Sequence, residues 1–181
     1  STAVHRCRVI TPPVSPVTSM AFDYAAARLA VARESGAVEI WSVGGWHITT
    51  VIPARSPPVA VTSVVWTRSG RLVTAGLDAV LCEWDLATLQ ARSRVDTHGG
   101  VVECLAASKT TLAAGCEDGV VRLYVVDEDS QDGLKLARSF SKVDGRILSL
   151  AWHRSGRYLV TGSSDGCIRR WDVATGRPLL T

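Results

Sequence analysis

The stretch that decides the fold runs from Ile147 to Val173, ILSLAWHRSGRYLVTGSSDGCIRRWDV. Three short apolar runs, ILSLAWH, YLVTGSS and CIRRWDV, are separated by the turn sequences RSGR and DG. That alternation predicts antiparallel strands joined by tight turns. Gly suits these turns because it accepts positive φ without steric cost, and Asp can bond its own backbone. Working outward, three more segments align with this one: VTSMAFDYAAARLAVARESGAVEIWSV from Val17, VTSVVWTRSGRLVTAGLDAVLCEWDL from Val61, and VECLAASKTTLAAGCEDGVVRLYVV from Val102. The aromatic near each end recurs at Trp41, Trp84, Tyr124 and Trp171, at spacings of 43, 40 and 47 residues. Six positions earlier stand Ser35, Asp78, Asp118 and Asp165, each followed by a turn residue (Gly36, Ala79, Gly119, Gly166). A second column reads Phe22, Trp66, Ala107 and Trp152.

These columns explain an odd composition of six Trp against two Phe and three Tyr, since five of the Trp are repeat residues and Trp46 is not. A fourth strand follows each unit (WHITTVIPA, ARSRVDT, LKLARSFS, and PLLT at the end). Four strands in roughly 40–45 residues is the period of a propeller blade. Blades are expected over about 17–54, 61–97, 101–142 and 147–181. One such sheet leaves apolar faces bare, and stacking neighbours around an axis covers them.

Composition sets the outer bounds. With 181 residues, 46% of them hydrophobic, 20% charged and a net charge of +3, the chain carries enough apolar surface to offset the entropy of ordering, so disorder is excluded as the main state. No apolar run approaches the ~20 residues of a membrane-spanning helix, and STAVHRCRVITPP does not read as a signal peptide. No membrane partner is expected. A pI near 8.7 is too balanced to establish a nucleic-acid partner on its own. The five Cys (Cys7, Cys82, Cys104, Cys116, Cys167) form no CxxC pair or Cys/His cluster, which argues against a disulfide framework and a zinc site. Free thiols in apolar stretches behave as small buried hydrophobes and suit the cytosol or nucleus.

The endings IWSV, EWDL, LYVV and RWDV, with their preceding turns, resemble the WD40 repeat over nearly the whole chain. The resemblance implies an all-β propeller, with about four blades present of a seven-bladed ring. The chain departs from the WD40 pattern in two ways. Only His98 approaches the customary Gly-His pair, and the His–Ser/Thr–Asp–Trp lattice is partial: Thr74, Asp78, Trp84 and Thr161, Asp165, Trp171 match it without the His, while Ala114 and Val31 occupy the hydroxyl position elsewhere. Apolar packing is therefore expected to outweigh polar networks. VHRCRV, RLAVARESGAVEIW, VTAGLDAVLCEWDL, GCEDGVVRLY and RILSLAWHRSG together are similar to the N-terminal part of the cirhin family, tandem-propeller subunits of the nucleolar small-subunit processome. That similarity implies that the strand corresponding to His5–Ile10 completes a blade formed by the far end of the same propeller. Four blades alone would leave two bare apolar flanks, so a fragment of a larger propeller is expected.

Catalytic chemistry is hard to place. A Ser155–His153–Asp172 set can be drawn, but His153 enters a tight turn and no GxSxG nucleophile turn exists. The four His show no ligand spacing, and no P-loop or GxGxxG occurs. No enzyme, cofactor, metal or small-molecule substrate is expected. Charge placement is more informative. The first turns carry Arg28, Arg68, Arg71, Lys109, Arg154 and Arg157, and Asp85, Asp172 and the acidic run from Asp127 to Asp132 share their face, so local pairing is the default. The outer strands carry Arg92, Arg94, Lys135 and Arg138, with Lys142, Arg6 and Arg8 nearby, a basic rim able to steer RNA or an acidic partner at backbone level. Trp46 and Phe140, the only aromatics placed to stack bases there, are expected to be packed. The loop Asp127–Gly133, with Asp127, Glu128, Asp129 and Asp132, is a candidate docking point for a basic segment.

The resemblance thus implies a non-catalytic scaffold for pre-rRNA processing and 18S rRNA maturation in the nucleolus, bound to other propeller and helical-repeat subunits of a large ribonucleoprotein. The alternative is a cytosolic WD40 adaptor in signalling or substrate selection by a ubiquitin ligase.

Overall fold

The computed structural model describes residues 15–23, 25–109, 111–126 and 133–181. The first ten residues, including Arg6 and Arg8, and the acidic loop positions Asp127, Glu128, Asp129 and Asp132 lie outside the described residues. Sixteen strands and no helix are formed among them.

The described residues form four antiparallel sheets of four strands each, with strands paired in chain order. The first blade comprises β1 (Val17–Asp23), β2 (Arg28–Arg33), β3 (Val38–Ser42) and β4 (His47–Ile52). The second comprises β5 (Val61–Trp66), β6 (Leu72–Gly76), β7 (Val80–Asp85) and β8 (Gln90–Asp96). The third comprises β9 (Val102–Ala107), β10 (Thr111–Cys116), β11 (Val121–Val126) and β12 (Leu134–Ser139), and the fourth β13 (Ile147–Trp152), β14 (Tyr158–Ser163), β15 (Ile168–Asp172) and β16 (Arg177–Leu180). The turn residues behave as their chemistry requires. Gly36, Gly119 and Gly166 have φ of 89°, 81° and 84°, and Ala79 takes the same left-handed conformation at 62°. At Gly119 a Cβ would also stand 2.3 Å from the carbonyl oxygen of Val143, where the linker to the next blade crosses the turn.

The first strands of successive blades (β1, β5, β9, β13) pack side by side, and apolar clusters fill the spaces between sheets. Leu72 joins Ile40 and Ile52 between the first and second blades, Leu81 joins Leu112 and Tyr124 between the second and third, and Trp171 joins Leu123 and Phe140 between the third and fourth.

A repeated set of side-chain hydrogen bonds fixes the spacing of those inner strands. Thr18 Oγ1 donates to the Val61 carbonyl at 2.5 Å, and Thr62 Oγ1 donates likewise to Val102. One residue on, Ser19 Oγ accepts from the Val64 N–H at 3.2 Å and Ser63 Oγ from the Leu105 N–H at 3.0 Å. In the third blade the Ser column holds Cys104, whose Sγ donates to the Ile147 carbonyl at 3.5 Å. The Trp66 and Trp152 indoles reach back to the carbonyls of Ala21 and Ala106 at 3.1 and 3.0 Å. Ser63→Ala should therefore orphan a strand N–H and lower stability by about 1–2 kcal/mol in a urea titration. A neutral outcome would mean that this bond does not hold the blades together.

Candidate functional site

The members of the aromatic column are held in different ways. The Trp84 and Trp171 indoles donate to Thr74 Oγ1 and Thr161 Oγ1 at 2.8 and 2.9 Å. Tyr124 is buried, and burial pushes its hydroxyl up to about 12. Trp41 Nε1 donates to Glu39 at 3.0 Å. In the third and fourth blades the aspartates of the preceding turns serve their own hairpins. Asp118 pairs with Arg122 at 2.7 Å and Asp165 with Arg169 at 2.6 Å. The Arg169 guanidinium, the Ser163 hydroxyl and the Cys167 N–H hold the Asp165 carboxyl well below the usual carboxylate range. In the second blade Cys82 stands where the others have Arg122 and Arg169, and Asp78 pairs instead with Arg55 at 2.7 Å.

Polar bonding is richer than apolar packing alone would give. Arg33 binds Glu39 at 3.0 Å, and Arg71 binds the fully buried Glu83 at 2.9 Å. The thiols of Cys82, Cys104 and Cys116 are raised by burial, that of Cys104 to about 12, as suits buried hydrophobes.

Each blade contributes its first and third hairpin turns to one face of the arc. On this turn face the cations divide into two sets. Arg28 pairs with Asp23 at 2.6 Å, Arg71 with Glu83, and Arg157 with Asp172 at 3.7 Å. Arg68, Lys109 and Arg154 are exposed and make no ion pair among the described residues. A cavity of about 390 Å3 lies between Arg68 and Lys109, walled by Phe22, Trp66 and Ala107, with Arg28 stacked 4.5 Å from the Trp66 ring.

The predicted rim is placed as follows. Arg92 and Arg94 are exposed on β8, and Arg92 comes within 3.9 Å of Glu83. Lys135 and Arg138 are exposed on β12, where Arg138 donates to the Thr175 carbonyl at 3.4 Å. Lys142 lies apart, beside Asp118 and Asp144. The two aromatics expected to be packed part company. Phe140 is buried against Trp171 at 5.3 Å, but Trp46 is 62% exposed. Trp46 sits in the β3–β4 turn at φ 45°, so its ring leans on Trp41 at 5.8 Å with one side in solvent. His153 Nδ1 and Ser155 Oγ lie 2.8 Å apart within one turn, while Asp172 is engaged by Arg157 and Thr175. Among the described residues no three His, Cys, Asp or Glu side chains form a group able to hold a metal ion.

Comparison with known proteins agrees with the blade geometry. Residues 135–172 match the family described as WD domain, G-beta repeat. The crystal structure of the computationally designed Ika4 protein superposes with a TM-score of 0.74 at 18% identity, covering 91% of this chain and 95% of that one. The chain belongs to the WD40-repeat family of β-propellers. Its similarity to one group within that family extends over almost every residue. It is 34% identical over 175 residues to the human U3 small nucleolar RNA-associated protein 4 homolog, covering 96% of this chain and 25% of that protein. It is 31% identical to U3 small nucleolar RNA-associated protein 4 of Saccharomyces cerevisiae, covering 94% of this chain and 24% of that one. The chain thus spans about a quarter of the length of the curated relatives it matches.

Proposed function

We propose that this chain is a non-catalytic propeller scaffold of the small-subunit processome, acting in pre-rRNA processing and 18S rRNA maturation in the nucleolus. The observation that carries the reading is the similarity to U3 small nucleolar RNA-associated protein 4 across 96% of the chain, inter-repeat segments included. The rigid blades would present turns and outer edges to other propeller and helical-repeat subunits. The basic edge residues Arg92, Arg94, Lys135 and Arg138 would add backbone-level contact with pre-rRNA. A scaffold without chemistry also agrees with the side chains of Ser155, His153 and Asp172, each taken up by its own turn or an arginine.

The four blades read best as an arc of a larger ring. Large exposed apolar side chains gather on the first and last blades, with Met20 at 63% and Ile168 at 71% exposure, where a further blade would cover them. The cytosolic adaptor alternative receives no support from the relatives that span the chain. Affinity purification of the full-length protein should return small-subunit processome subunits, and its depletion should reduce 18S precursors. Recovery of cullin adaptors with unchanged rRNA processing would refute the reading.

A further inference from the structure

We propose that the turn face carries a site for single-stranded nucleic acid, formed by Arg68, Lys109 and Arg154 around the hollow walled by Phe22, Trp66 and Ala107. This site is separate from the rim on the outer strands, and its test does not require the scaffold reading.

The charges come first. Each of the last three blades places a cation two residues after the inner-strand aromatic column: Arg68 after Trp66, Lys109 after Ala107, Arg154 after Trp152. All three are exposed, and none is neutralised among the described residues. Among the described residues, the carboxylates that share this face are engaged. Asp23 holds Arg28, Glu83 holds Arg71, and Asp172 holds Arg157. Asp85 accepts from the Ala87 N–H and the Thr88 hydroxyl of its own turn. What remains among the described residues is a row of positive charge with one member in each of the second, third and fourth blades.

The row is continuous. Arg68 and Lys109 line the same cavity. The β13–β14 turn that holds Arg154 abuts the third blade, where a Cβ on Gly156 would lie 3.7 Å from Ser108 Oγ and the Trp152 indole bonds the Ala106 carbonyl. Cations in a row, one blade apart, suit a ligand with regularly spaced negative charge, and a polynucleotide backbone is one.

The hollow adds the second element. Blades two and four fill the aromatic column with Trp66 and Trp152, and the third has Ala107. The missing ring leaves the cavity between Arg68 and Lys109, with the partly exposed Phe22 and an edge of Trp66 as its apolar wall and Thr67 and Ser108 among its lining. A flat, amphipathic group next to a phosphate fits there, and a nucleobase is such a group. A run of carboxylates on an acidic peptide would satisfy the cations and leave the hollow empty.

The test is fluorescence anisotropy of the full chain with labelled oligouridylate of about 12 nucleotides, across a salt series. Replacing Arg68, Lys109 and Arg154 together by Ala should weaken binding at low salt by about tenfold or more, and flatten the slope of log affinity against log salt by about 2. Ala107→Trp restores the residue type that its own column carries in two other blades, so the fold should tolerate it. It should weaken binding by about tenfold while leaving the slope unchanged. Circular dichroism and thermal melting check that both variants are folded. The proposal is overturned if the triple variant binds like the parent. It is equally overturned if polyglutamate displaces the oligonucleotide at equal concentration and Ala107→Trp has no effect, which would make the face a site for acidic protein segments.

Discussion

Replacing Trp171 with alanine should lower the unfolding free energy by about 3–5 kcal/mol, the range for removing a large buried aromatic from a core. Trp171 is 1% exposed, and its ring lies 5.3 Å from that of Phe140, in the linker between the third and fourth blades. Leu123, Ile147 and Leu159 belong to the same cluster. The indole is also the donor to Thr161 Oγ1, so alanine leaves a cavity and an unpartnered buried hydroxyl together. Trp171→Phe separates the two effects. It keeps most of the apolar volume, loses the donor, and should cost a smaller amount, about 1–2 kcal/mol. Chemical denaturation of the three proteins under one condition would measure both. An alanine variant within ~1 kcal/mol of the parent would show that this cluster does not join the two blades.

The second large effect is electrostatic. Glu83 is fully buried on β7, and Arg71, at the end of the β5–β6 turn, holds its Oε1 at 2.9 Å. Its Oε2 has no hydrogen-bond partner among the described residues, and Arg92 approaches only to 3.9 Å. Arg71→Ala strands a carboxylate in the sheet and should cost about 3–5 kcal/mol. Replacing both residues with Met should recover most of that loss, because an apolar pair of similar volume needs no desolvation of charge. If the single and double variants are equally destabilised, Arg71 acts by packing its stem, and the ion pair is incidental.

Much of this architecture was readable from residues because a propeller writes its period into the chain. The Trp41, Trp84, Tyr124 and Trp171 column and the Asp-Gly turns mark where each strand must end, since positive φ and large buried rings admit few substitutes. Pairing between side chains was harder to read. Arg68 and Arg71 look alike in sequence and lie three residues apart, yet only Arg71 can reach a carboxylate on β7. The Asp118–Arg122 and Asp165–Arg169 pairs did have a signal, an arginine four residues after the turn aspartate in both blades, which a column-by-column reading would have found. The bonds made by Thr18, Thr62, Ser19 and Ser63 had none, because hydroxyls in a strand look the same whether they face solvent or a neighbouring blade. Trp46 departs from its expected burial for a related reason. Its size argues for burial, but its position in a left-handed turn sends the ring outward.

The inner-strand bonds also bear on how the chain acquires its structure. They join Thr18 to Val61, Ser63 to Leu105 and Trp152 to Ala106, each roughly one repeat apart in sequence. Every blade therefore needs only the next 40 to 50 residues to complete its interface, a modest loop closure for an all-β protein. Such a chain can gain order vectorially, blade after blade, as it leaves the ribosome. Stability then accumulates as a sum over nearest-neighbour interfaces, and a defect in one of them is felt chiefly by the two blades it joins.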